Sequence, residues 1–162
     1  MFNIGDAVVY SNAGLCTIDD IRTEDFLGEE QLFYVLNPKY SRGSTIFVAV
    51  DNSKVVLRHT VSKEMISEVL SIEVNPEKEW IEKRQDRHAR TTEILKNCDI
   101  KETLVALRTL LYKRAEKEKL GKKLHMKDDA DIANLERMLF GEIAYVLDIS
   151  YDEVVQMFTA NI

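Results

Sequence analysis

The chain has 162 residues, 22 Lys+Arg against 28 Asp+Glu for a formal net charge of −6, and 45% hydrophobic residues. That apolar content excludes a disordered chain, and six Gly and two Pro exclude collagen-like and Pro-rich sequences. No stretch approaches the ~18 uninterrupted apolar residues of a membrane span, and the acidic total excludes a protein that coats nucleic acid through bulk charge. The start, Met1-Phe2-Asn3-Ile4-Gly5-Asp6, lacks the basic and apolar regions of a secretory leader, so a cytoplasmic location is expected.

The first sixty residues read as β structure. Ala7-Val8-Val9-Tyr10 predicts a short strand behind the Gly5-Asp6 turn, and Gly14-Leu15-Cys16-Thr17-Ile18 starts a second that runs toward Ile21. Gln31 to Leu36 is a third, ended near Asn37-Pro38; Ser44 to Val50 is a fourth, and Val55 to Arg58 a fifth. Turns fall at Gly28-Glu29-Glu30 and Ser41-Arg42-Gly43-Ser44. Five short strands at roughly 8–12-residue spacing imply a small twisted sheet or open barrel.

The period then changes. Ser62 ahead of Glu64, Met65, Ile66, Val69 and Leu70 predicts a short helix, and Asn75-Pro76-Glu77 is a helix start with Asn as N-cap and Pro at N1. That helix is expected to run to about Asn97. Asp99 caps the next, with Ile100, Leu104, Leu107 and Leu111 on one face. A helix over Ala130–Leu147 carries Ile132, Leu135, Leu139, Ile143 and Val146, and Ser150 caps a last one through Phe158. The fold class is therefore α+β: a β domain over residues 1–60, then a helical domain over residues 61–162, each with a small core.

Charge is unevenly placed. Residues 1–75 hold 6 basic and 11 acidic residues, residues 76–127 hold 15 and 9, and residues 128–162 hold 1 and 8. The net charges are −5, +6 and −7, a basic middle between acidic ends. Cys16 and Cys98 stand far apart and are expected as reduced thiols.

Catalytic signatures are missing: there is no phosphate-binding or dinucleotide glycine pattern, no GxSxG and no HExxH. His59, His88 and His125 are dispersed, so neither a metal nor a cofactor is expected. These features point to a binding protein, not an enzyme.

The predicted 77–97 helix holds the single tryptophan. At about 100° per residue, Ile81, His88 and Leu95 form a core face, and Lys83, Arg87 and Arg90 a basic stripe at i, i+4, i+7; Trp80 and Arg84 lie between them. Two readings stay open. Trp80 is core and the stripe a solvated face with Glu79–Lys83 and Asp86–Arg90 pairs; or the stripe holds phosphates and Trp80 is an apolar wedge beside them. The run Lys113, Arg114, Lys117, Lys119, Lys122 and Lys123 either extends that surface or is a solvated helix end.

These residues resemble the CarD/CdnL family of bacterial transcription regulators. Phe2, Gly5-Asp6, Val8-Val9-Tyr10, Gly14, Ile18 and Ile21 are similar to the opening of the RNA-polymerase-interacting domain that this family shares with transcription-repair coupling factor. Ser44 to Asn52 resembles its late strand and turn, and Leu57-Arg58 ahead of Val61-Ser62 also fits. Trp80 stands where the family has its helix tryptophan, and Leu139 to Ala144 resembles its last helix. Ser11 and Ala13 replace the usual Pro and His, and Glu24 and Phe47 occupy positions where some members carry arginines.

The resemblance implies a Tudor-like β domain that docks on the polymerase β-subunit lobe by strand addition, with Glu24, Phe26 and Phe47 at the interface. It implies that the helical domain lies on promoter DNA at the upstream edge of the bubble. Trp80 would wedge into the minor groove, with Lys83, Arg84, Arg87 and Arg90 on phosphates, stabilising the open complex. A monomer, brought to the nucleoid through polymerase and contacting DNA only in its company, is expected. The alternative is a non-catalytic interaction module whose acidic β domain holds a different, basic protein partner.

Overall fold

A computed structural model describes residues 1–41 and 43–160. Arg42, in the turn expected at residues 41–44, lies outside the described residues. The chain begins with strands β1 (Ala7–Tyr10), β2 (Gly14–Phe26), β3 (Glu29–Pro38), β4 (Ile46–Ala49) and β5 (Leu57–His59). Helices α1 (Lys63–Leu70), α2 (Pro76–Glu79), α3 (Arg84–Asn97), α4 (Ile100–Lys119), α5 (Met126–Leu147) and α6 (Tyr151–Thr159) follow. This is the α+β class read from the sequence. The sheet is antiparallel and open, with order β4-β3-β2-β1-β5. No helix of the described residues is long and apolar enough to cross a membrane.

The β2–β3 hairpin is longer than its hydrophobic pattern suggests. β2 was expected to end near Ile21 but continues to Phe26, and β3 starts at Glu29. The added ladder pairs Thr23 with Leu32, Glu24 with Gln31 and Asp25 with Glu30. These residues are mostly exposed, so no alternation of apolar and polar residues marks them. A register shift between Ile18 and Asp20 acts as a β-bulge, and Ile18 and Ile21, three apart, both join the core formed with Val8, Cys16, Tyr34, Leu36 and Val48.

Helix starts follow local chemistry. Ser62, Asn75, Asp99 and Ser150 each accept a hydrogen bond from a backbone N–H of the first turn, and Ser150 with Glu153 completes a capping box. α5 begins four residues before the expected Ala130, because His125 serves as N-cap and accepts from the Lys127 N–H.

The main correction concerns the helix expected over 77–97. α2 stops at Glu79, Trp80 (ψ 125°) and Lys83 (ψ 116°) are extended, and α3 starts only at Arg84. The helical wheel that aligned Trp80 with the later arginines therefore does not apply.

The core crosses from sheet to helices. Val9 of β1 is buried with Ile94, Leu104, Leu107, Leu139 and Ile143, and Val56 and Val61 pack on the same cluster. Where the resembling family has proline, the Ser11 N–H donates to the Val56 carbonyl (3.1 Å) and the Ser11 hydroxyl to the Lys96 carbonyl (2.6 Å); proline could make neither bond. Arg58 of β5 grips Glu142 of α5 with both Nη atoms (2.7 and 2.8 Å) and donates from Nε to the Cys98 carbonyl (3.0 Å). The Val61 N–H donates to the same carboxylate (2.9 Å). Gly141, in mid-helix, lies against the Tyr40 ring, where a Cβ would stand 2.9 Å from two ring carbons. Leu57-Arg58 and Leu139–Ala144, two of the segments that carried the resemblance, thus meet at this seam.

Candidate functional site

Trp80 sits in the break between α2 and α3. Its N–H still bonds the Pro76 carbonyl (3.0 Å), but its backbone then turns out of the helix and leaves the carbonyls of Ile81 and Glu82 without helical partners. Arg87, one turn into α3, takes both: Nη1 donates to Ile81 O (2.7 Å) and Glu82 O (3.2 Å). Its other edge forms a bidentate pair with Asp128 at the start of α5, Nε to Oδ1 (2.8 Å) and Nη2 to Oδ2 (2.7 Å). Both side chains are buried, so the pair is charge-assisted and shielded from solvent. The guanidinium carbon lies 4.0 Å from the centroid of the Trp80 ring.

A second cation approaches the indole. Lys113 Nζ of α4 is 5.4 Å from the ring centroid and bonds both oxygens of Glu77 in α2 (3.0 and 2.9 Å). The hydrogen bond to Glu77 raises the Lys113 ammonium above the usual lysine value. The indole is half-buried, packed on the helical core with one part in solvent. Trp80 therefore combines features of both readings, a core contact and an exposed aromatic edge.

The four cations proposed from the sequence separate. Arg87 is buried, with four of its five N–H donors directed at Asp128 and the two carbonyls, so it presents nothing to a phosphate. Arg90 is exposed but bonds Glu102 (2.7 Å) and Glu93 (3.1 Å), the Glu102 bond raising it above the usual arginine value; the expected Asp86–Arg90 pair does not form. Lys83 and Arg84 are exposed, and among the described residues neither has an ion pair. Of the later basic run, Lys113 is enlisted under Trp80, and Lys122 and Lys123 remain exposed. Sequence reasoning missed Asp128, which no local signal ties to Arg87 41 residues earlier.

The polymerase-side candidates gather on the outer face of the sheet. Arg22, Glu24 and Phe26 of β2 share that face with Phe33 of β3 and Phe47 of β4. Phe26, Phe33 and Phe47 form a cluster of edge-to-face rings with centroids 5.1, 6.0 and 6.4 Å apart. Arg22 bonds Glu24 (2.6 Å) and lies 5.3 Å from the Phe47 centroid. The hairpin tip adds Leu27, fully exposed and in the left-handed region (φ 62°) beside Gly28 (φ 84°). Two positive φ angles make a type I′ turn, which ordinarily carries Asn or Gly. β4 is an edge strand, paired only with β3.

Among the described residues no group of three or more His, Cys, Asp or Glu side chains could hold a metal ion. His88 Nδ1 lies 3.0 Å from both oxygens of Asp131, whose carboxyl is raised by burial and held back by His88.

Comparison with known proteins bears on these surfaces. Residues 2–61 match the CarD-like/TRCF RID domain. The chain is also 26% identical over 133 residues to the "Putative transcription factor YdeB" of Bacillus subtilis (strain 168), covering 80% of this chain and 85% of that protein. The domain match supports a transcription-related, RNA-polymerase-interacting role for the sheet domain, and the relative carries the name of a transcription factor. Residues 2–61 thus match the CarD-like/TRCF RID domain, and the similarity to a CarD-like protein extends over most of the chain.

Proposed function

We propose that this protein docks on the β-subunit lobe of RNA polymerase through its sheet and stabilises the open promoter complex through Trp80. The observation that carries the reading is the Trp80 turn: a half-exposed indole, firmly seated, followed three and four residues on by exposed Lys83 and Arg84, which have no ion pair among the described residues. An aromatic ring held rigidly, with two exposed cations in the turn and helix start that follow it, suits a minor-groove wedge flanked by phosphate contacts. Arg90 adds a third cation once Glu93 and Glu102 yield it. Arg87 leaves the set of phosphate contacts and takes another role.

On the polymerase side, the open β4 edge offers backbone N–H and C=O groups to a partner strand, and Phe26, Leu27 and Phe47 supply an apolar contact beside it. Glu24 is tied to Arg22, so the interface differs from an arginine-based one. The remaining boundary, a polymerase-binding part over residues 1–60 and a DNA-contacting part over residues 61–162, is part of the same proposal. The shared core and the Arg58–Glu142 pair support their acting as one body, a clamp of fixed span.

The test is binding to isolated β-lobe together with open-complex lifetime on a promoter. The full chain should bind the lobe and lengthen the lifetime. A Lys83→Ala/Arg84→Ala variant should keep lobe binding and lose most of the lifetime effect, with a shallower salt dependence. Absence of lobe binding by the wild-type chain refutes the proposal.

A further inference from the structure

We propose that Arg87 is the positioning residue for Trp80: its buried ion pair with Asp128 anchors both the indole and the turn that presents it. One guanidinium performs three tasks. Its fork is locked on the Asp128 carboxylate, its Nη1 holds the Ile81 and Glu82 carbonyls, and its central carbon lies over the Trp80 ring, 4.0 Å from the centroid. The α2 ladder ends at the Trp80 N–H and that of α3 starts at the Lys83 carbonyl, so between them the Ile81 and Glu82 carbonyls depend on Arg87.

The chemistry requires arginine. Lysine offers no planar fork to satisfy Asp128 and the two carbonyls together, and no flat surface for the ring. Asp128 in turn is 1% exposed and has no other cation bonded to it among the described residues. The result is an indole fixed before any partner arrives, so ordering entropy is not lost on insertion. The inference rests on the DNA reading of Trp80 only for its functional consequence; the anchoring itself concerns the free protein.

Trp80 is the one tryptophan of the chain, so its emission reports this site alone. In the wild-type full-length protein, the ring current of Trp80 should move the Arg87 side-chain proton resonances upfield. In Arg87→Lys and Asp128→Asn, acrylamide quenching of Trp80 should rise about two-fold as the ring loses its cover, with far-UV circular dichroism unchanged. Folded variants that quench like the wild type overturn the proposal. Should both variants fail to fold, unshifted Arg87 resonances in the wild type overturn it, and shifted ones support it. Open-complex lifetime separates the two claims. If quenching rises and the lifetime effect falls toward that of Trp80→Ala, the anchoring serves the DNA contact. If quenching rises but the wild-type chain never alters the lifetime, the anchoring stands and the DNA reading falls.

Discussion

Arg58→Met removes the cation that joins sheet to helices. The loss is unequal for the two partners. Glu142 is 1% exposed, and without Arg58 its carboxylate keeps only the Val61 N–H at 2.9 Å. Stranding a buried charge in this way costs about 3–5 kcal/mol. Glu142→Gln is milder, since Gln still accepts from Val61 and Arg58, 25% exposed, can turn toward water; about 1–3 kcal/mol is expected. The double variant Arg58→Met/Glu142→Met leaves no stranded charge, only an unpaired Val61 N–H, so it should be more stable than Arg58→Met alone. Urea unfolding followed by circular dichroism reads this directly. With a slope of about 2 kcal/mol per molar urea, Arg58→Met should lower the midpoint by roughly 1.5–2.5 M. A loss below about 1 kcal/mol for Arg58→Met, or a double variant no more stable than Arg58→Met alone, would refute the claim that this pair holds the seam.

Leu27→Asn replaces a left-handed leucine with a residue suited to a type I′ turn, so stability should rise by about 0.5–1 kcal/mol. β-lobe binding should weaken in the same variant, because its exposed side chain is lost; unchanged binding would show that Leu27 takes no part in docking. Gly141→Ala should destabilise, since the overlap with Tyr40 outweighs the helix-propensity gain of about 1 kcal/mol. In a Tyr40→Ala background the same change should become stabilising, and a sign that stays fixed in both backgrounds would contradict the packing argument. Burial, reinforced by the nearby Cys98, pushes the Cys16 thiol up to about 12, and Cys98 is raised as well. At pH 8 the native protein should therefore resist a thiol reagent, and both thiols should react only on unfolding; rapid native labelling would refute this.

The helix starts were legible because each depends on residues within one turn: Ser62, Asn75, Asp99 and Ser150 meet their N–H partners three residues on. The buried stripes of α4 and α5 were legible for the same reason, since a 3.6-residue period is written directly in the sequence. The far half of the β2–β3 hairpin was not, because a ribbon exposed on most positions has no apolar alternation to read. Nor was the outer aromatic cluster, which the strand register assembles from Phe26, Phe33 and Phe47.

The α+β plan, its order of elements and the basic middle of the chain are properties of the sequence alone, because composition and short-range periodicity determine them. The break at Trp80 and the fate of each cation are not. Asp128 draws Arg87 inward from 41 residues away, and Glu93 and Glu102 engage Arg90. Formal charge counts each cation equally, whereas burial and pairing in the fold leave Lys83 and Arg84, of the four cations that follow Trp80 in the sequence reading, as the two without a carboxylate partner among the described residues.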